Sequence, residues 1–121
     1  MIKTQGLTHI HIAVRDLQRS MAFYKSVFGM EERFWDGPAM VFLNTPGSKD
    51  TITLRQADAQ EPVGPAGGIG HFGFRLADRS DLDAAVQAIV AAGGRALEQG
   101  QHPSGERYAY VSDPDGYVIE L

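Results

Sequence analysis

Two stretches decide the fold: residues 7–16, LTHIHIAVRD, and residues 69–78, IGHFGFRLAD. At an offset of 62, His9 falls on His71, Ile10 on Phe72, Ile12 on Phe74, Val14 on Leu76 and Asp16 on Asp78. Each stretch alternates apolar and other residues, the period of a strand with one buried face. Each then gives way to apolar residues at three- and four-residue spacing, which marks an amphipathic helix. The first set is Leu17, Met21, Tyr24, Val27 and Phe28, closed by Gly29; the second is Leu82, Ala85, Val86, Ile89 and Val90, closed by Gly93-Gly94. Glycine just past a helix end takes the left-handed conformation that caps it. Ser80 or Asp81 is expected to cap the start of the second helix.

Strand-like runs follow in both halves. In the first they are Glu31–Trp35, Ala39–Asn44 and Thr51–Gln56; in the second, Arg95–Glu98, Arg107–Ser112 and Tyr117–Leu121. Asp113-Pro114-Asp115-Gly116 reads as a tight turn, with Pro pre-setting φ and Gly taking positive φ. The expected fold is α+β: one domain over 1–121, built from two tandem βαβββ modules (5–56 and 69–121) joined by a linker at 57–68. The modules form a curled mixed sheet around a trough.

Side-chain alternation picks out the residues facing that trough. His9 and His11 share a face of the first strand, and His71 lies in the equivalent place with Gly73 beside it. On the last strand Glu120 points with Val118, and its repeat mate in the first module is Thr53. Pseudo-twofold symmetry is expected to set the first strands side by side so that His9 and His71 converge. Two imidazoles and a carboxylate with open positions suit octahedral Fe(II) or Mn(II) and also accept Zn(II), Ni(II) or Co(II). The chain has no cysteine, which excludes thiolate ligands, disulfides and a Cys nucleophile. Its net charge of −4 and lack of basic runs argue against a nucleic-acid partner. No apolar run is long enough to span a bilayer and no signal peptide is read, so a cytoplasmic location is expected.

Several of these motifs resemble the glyoxalase, bleomycin-resistance and extradiol-dioxygenase (vicinal oxygen chelate) superfamily over essentially the whole chain. The carriers are His9-x-x-x-Ala13-Val14-x-Asp16-Leu17, Ser20-x-x-Phe23-Tyr24 and Phe28-Gly29-Met30, then Gly70-His71-Phe72-Gly73-Phe74 and Asp113-Pro114-Asp115-Gly116-x-x-x-Glu120. The resemblance implies one divalent metal held by His9, His71 and Glu120, a small-molecule substrate and a homodimer, with the modules paired within one chain or exchanged between two. Glyoxalase I-like members draw a further carboxylate from the place where Thr53 stands here, and a threonine cannot abstract a proton from carbon.

The extradiol dioxygenase signature fits better. It corresponds to Gly100-Gln101-His102, six residues, Ala109-Tyr110, Val111-Ser112, Asp113-Pro114-Asp115-Gly116, three residues and Glu120. By that resemblance Tyr110 and His102 are catalytic candidates. His102 reads equally as a loop residue beside Pro103-Ser104-Gly105, and Tyr110 as a core residue. The family's acid–base His is missing from the last strand of the first module, and His11 is the candidate replacement. Thr53, Arg55 and Tyr108 are the expected substrate contacts. The leading expectation is dioxygenase-like chemistry on a vicinal-dioxygen, catechol-type molecule. A glyoxalase-like lyase, isomerase or thiol transferase comes next, and a non-catalytic antibiotic binder third.

Overall fold

A computed structural model describes residues 1, 3, 5, 7–65 and 69–121. Residue 6 of the expected first module and residues 66–68 of the expected linker lie outside the described residues. The elements run β1 (Ile10–Val14), α1 (Leu17–Phe28), β2 (Glu31–Trp35), β3 (Met40–Asn44), β4 (Ile52–Gln56), β5 (Phe72–Gly73), α2 (Leu82–Ala91), β6 (Arg95–Gln101), β7 (Arg107–Ser112) and β8 (Val118–Glu120). They form two four-stranded mixed sheets, ordered β1-β4-β3-β2 and β5-β8-β7-β6. In each, the first strand runs parallel to the last and the other pairs are antiparallel.

The repeat extends to register. Ile10 faces Ile52 and His11 faces Thr53; Phe72 faces Ile119 and Gly73 faces Glu120. Thr53 and Glu120 are thus equivalent, as are Phe42 and Tyr110, which oppose them on β3 and β7. Both outermost antiparallel pairs break register near the start, between Glu32 and Phe34 and between Ala96 and Glu98. Such irregularities bend and twist an edge strand.

Helix α1 starts at Asp16, whose carboxylate accepts from the Arg19 N–H, and ends at Gly29 with φ 65°. The second start differs from expectation. Neither Ser80 nor Asp81 makes a side-chain cap; Asp78 accepts from the Ser80 N–H and opens a 3-10 turn over Arg79–Asp81 that leads into α2. Asp78 repeats Asp16, so the same strand-end position supplies both caps.

One core joins the modules. Ile12, Val14, Phe23, Tyr24, Leu54, Ile89, Val111 and Ile119 are all buried within it. The Asp113–Gly116 turn of the second module docks on α1 of the first. Tyr24 donates to Asp113 Oδ2 at 3.0 Å, Ser20 donates to Asp115 at 3.1 Å, and Arg19 pairs with Asp115 at 2.9 Å. Tyr117 donates to the Ala13 carbonyl at 2.7 Å, and Phe28 stacks on Phe74 with ring centroids 3.9 Å apart. Asp113 is 2% exposed. It also accepts the backbone N–H groups of Asp115 and Tyr117, each at 2.9 Å. Burial outweighs these hydrogen bonds and pushes its carboxyl up to about 6. No helix among the described residues is long and apolar enough to cross a membrane.

Strands β1 and β5 each end their sheet, so each has one backbone edge unpaired within its own sheet. A groove of about 670 Å3 runs between them, lined by His9, Ile10, Phe28 and Phe72 among others. Unpaired edges beside apolar surface are what a second chain covers.

Candidate active site

The densest group of chemically capable side chains lies on the second module. Strand alternation turns Glu120 of β8 and Tyr110 of β7 to one face, and their Cα atoms are ladder partners. His71, just before β5, brings Nε2 to 3.1 Å from Glu120 Oε2. His102, just past β6, brings Nε2 to 3.6 Å from Glu120 Oε1. The two imidazoles therefore address opposite oxygens of one carboxylate. The Tyr110 ring stands edge-on to His71 at 5.2 Å, and the Tyr108 ring lies 4.6 Å from His102.

Glu120 has no Lys or Arg partner among the described residues. A carboxylate that served only to bridge charge would take such a partner; this one has two imidazoles and the Tyr110 phenol beside it, and carboxylate and imidazole are donors suited to a divalent transition metal. Two tyrosines bound the group. Tyr110 has its phenol pKa raised by burial first and by the nearby Glu120 charge second. That of Tyr108 is raised chiefly by Glu98, to which its hydroxyl donates at 3.3 Å. Both are thus held as phenols, able to donate a hydrogen bond at neutral pH.

His9 occupies the equivalent position on the first module. Its ring lies 6.2 Å from Phe42, as that of His71 lies near Tyr110, and its Nδ1 is 2.9 Å from the Thr8 hydroxyl. The expected convergence of His9 with His71 does not occur within one chain. Among the described residues no group of three or more His, Asp or Glu side chains is placed to hold a metal ion. The reason lies in topology. Convergence requires β1 to lie against β5, and here each ends a separate sheet.

The remaining candidates divide. Arg55 Nε donates to His11 Nε2 at 3.3 Å, while the Arg55 guanidinium is also ion-paired with Glu61. His11 therefore belongs to a polar cluster of the first module, apart from Glu120, and the Arg55 charge is already engaged. Thr53 was expected to touch substrate, but its side chain is wholly enclosed, and its Oγ1 has no hydrogen-bond partner among the described residues. Thr53 sits on a central strand, between His11 of β1 and Phe42 of β3. Tyr108 lines a cavity of about 330 Å3 that also reaches Glu120 and His102.

Two features escape a reading of the sequence alone. Asp113 looks like a turn residue, yet it is the buried link between the modules. Arg75 follows Gly73 by two residues and lines the same cavity as Glu120; the alternation His71-Gly73-Arg75 was the available signal.

Because His102 meets the carboxylate oxygen that His71 leaves free, its removal should spare metal retention. For His102→Ala we expect a clearly smaller loss of metal than for His71→Ala, measured by elemental analysis after dialysis. A loss as deep as that caused by His71→Ala would place His102 among the ligands.

Comparison with known proteins gives the family of the chain. A family model described as Glyoxalase/Bleomycin resistance protein/Dioxygenase superfamily matches residues 6–121. A probable lactoylglutathione lyase of Vibrio parahaemolyticus is 31% identical, with 95% of this chain and 88% of that protein covered. A catechol-2,3-dioxygenase of Bacillus subtilis is 32% identical over 94% of this chain; the chain spans only 41% of that protein. The crystal structure of a fosfomycin resistance protein of Listeria monocytogenes, complexed with Mn(II) and 1S,2S-dihydroxypropylphosphonic acid, matches with TM-score 0.78 at 26% identity, covering 98% of this chain and 90% of that one.

Proposed function

The chain belongs to the glyoxalase, bleomycin resistance protein and dioxygenase superfamily, and from that we propose that it is a metal-dependent enzyme acting on two adjacent oxygens of a small molecule, with extradiol-dioxygenase-like chemistry as the first reading. One observation carries the proposal: Glu120 and His71 form a donor pair at 3.1 Å with His102 and Tyr110 beside it.

His71 and Glu120 are two of the three expected ligands. We assign the third, His9, to a second copy of the chain, because one chain leaves His9 on the other module and leaves β1 and β5 as open edges. The protein is then a homodimer with two equivalent sites. Held by these residues, Fe(II) or Mn(II) would supply Lewis-acid stabilisation of a substrate anion and the redox capacity that oxygen chemistry requires.

The chain's own groups do the rest. Tyr110, kept protonated by burial and by Glu120, donates a hydrogen bond to a substrate oxygen. His102, whose Nε2 lies 3.6 Å from the far oxygen of Glu120, is the candidate for passing a proton to or from the substrate. The Tyr108 ring lies beside it, tilted, at 4.6 Å.

A lyase or isomerase of the lactoylglutathione type is the second reading. The 31% identity to the Vibrio relative over most of both chains favours it. Against it stands Thr53, an enclosed hydroxyl in the place equivalent to Glu120, which provides no carboxylate to accept a proton from carbon. Protein loaded in turn with Fe(II), Mn(II), Ni(II) and Zn(II) tests the choice. We expect oxygen uptake with a catechol under Fe(II) or Mn(II), and weak isomerisation of the glutathione hemithioacetal of methylglyoxal under every metal. Strong isomerisation under Ni(II) or Zn(II), with no oxygen uptake, reverses the order of the two readings.

A further inference from the structure

The cavity beside Glu120 continues past the site. Glu120, His102 and Tyr108 share its lining with three guanidiniums, those of Arg75, Arg79 and Arg107. Two of these guanidiniums are already matched, since Arg79 pairs with Glu106 at 2.9 Å and Arg107 with Asp83 at 2.7 Å. Arg75 is exposed, and among the described residues no carboxylate lies within ion-pair distance of it.

Its place in the chain gives this charge meaning. From His71 to Leu76 exposure alternates: His71, Gly73 and Arg75 are exposed, while Phe72, Phe74 and Leu76 are half-buried. The Phe74 N–H continues the β5–β8 ladder by donating to the Glu120 carbonyl at 2.9 Å. His71, Gly73 and Arg75 therefore follow one another along one face, about 6–7 Å apart at each step. Gly73 keeps the middle open. A Cβ there would stand 3.2 Å from the Glu120 carbonyl oxygen, tighter than an ordinary contact. Tyr108 lines the same cavity. The row thus reads as a metal-ligand candidate, a side-chain-free glycine position and an unmatched guanidinium.

We propose that the molecule taken at this site carries an anionic group, a carboxylate or phosphonate, on a short apolar arm, and that Arg75 receives that anion while the arm lies over Gly73. A guanidinium presents a planar fork that matches the oxygens of either group. The proposal rests on the reading of His71 and Glu120 as the chelating end, and it narrows the substrate from any vicinal-dioxygen compound to an anionic one.

Two arms test it. On metal-loaded protein, 3,4-dihydroxyphenylacetate is compared with its neutral amide by calorimetry. Wild type should bind the acid at least about tenfold more tightly. Arg75→Ala should abolish that preference while leaving affinity for the amide and metal content unchanged, and Arg75→Lys should restore part of it. Equal affinity for acid and amide in wild type, or equal weakening of both by Arg75→Ala, overturns the proposal. On metal-free protein, phenylphosphonate is titrated into wild type and Arg75→Ala. Binding that disappears in the variant supports the anion site even if the metal assignment fails, and no binding to wild type counts against it.

Discussion

Glu120→Gln and His71→Ala should each lower bound divalent metal by about tenfold or more, the loss expected when one of three ligands is removed from a shared ion. The two donors lie 3.1 Å apart and are partly exposed, with side-chain exposures of 28% and 44%. Exposure at that level makes the expected structural cost small. Neither side chain fills the core, and the amide introduced by Glu120→Gln keeps the shape of the carboxylate it replaces. Metal-free Glu120→Gln protein should therefore melt within a few degrees of metal-free wild type. His9→Ala should lose metal to the same degree although His9 sits on the other module. Elemental analysis beside thermal melts of the same samples reads both quantities. Unchanged metal in all three variants would remove these residues from any metal site.

The second large effect is on stability, at the joint between the modules. Asp113→Ala leaves the Tyr24 hydroxyl and the N–H groups of Asp115 and Tyr117 without their acceptor in a buried place. Unpaired buried donors cost about 1–3 kcal/mol each before relaxation, so a total loss of about 3–4 kcal/mol is expected in urea unfolding. Asp113→Asn keeps an acceptor oxygen and should cost less.

The same residue gives a pH signature. Its carboxyl is raised from 3.8 to about 6 in the folded protein, chiefly by burial. Between those values the folded state holds a proton that the unfolded state has released. Asp113 therefore makes stability fall as pH rises from about 4 to 6, by up to about 3 kcal/mol, with the full cost present above pH 6. Carboxylates with lowered values, such as Asp83 beside Arg107 and Glu61 beside Arg55, act in the opposite direction at lower pH. The difference between wild type and Asp113→Asn isolates the term. Asn should gain on wild type across pH 4 to 6, and parallel pH profiles would show that Asp113 does not titrate there.

The sequence reveals what depends on local period. His9 and His71 stand out because the strand alternation around them repeats, and the pairing of Thr53 with Glu120 follows from the same count along the last strands. Asp16 and Asp78 mark both helical entries, although Ser80 and Asp81 offered a plausible alternative cap. What stayed hidden depends on long-range assembly. Tyr24 and Asp113 are 89 positions apart, and each has an ordinary local role, in a helix stripe and a turn. The failure of His9 to meet His71 has the same origin. An edge strand reads the same whether its free side pairs within the chain, with another chain or with water, so side-chain pattern alone could not say which edges join. Thr53 faces the same way as Glu120, but alternation does not reveal that neighbours cover it completely.

Whether His9 completes the site from a second copy is tested by mixing two defective chains. His9→Ala keeps His71 and Glu120, and Glu120→Gln keeps His9. If each site draws His9 from one chain and His71 with Glu120 from the other, a mixed dimer contains one intact site. Equal amounts refolded together should recover about a quarter of the wild-type metal, since about half of randomly assorted dimers are mixed and each restores one of two sites. Each variant alone should stay near the tenfold-reduced level. Recovery to that level, with light scattering showing dimers, is the predicted result. A mixture that remains at the level of the separate variants, or a wild-type protein that is monomeric while binding metal, would contradict it.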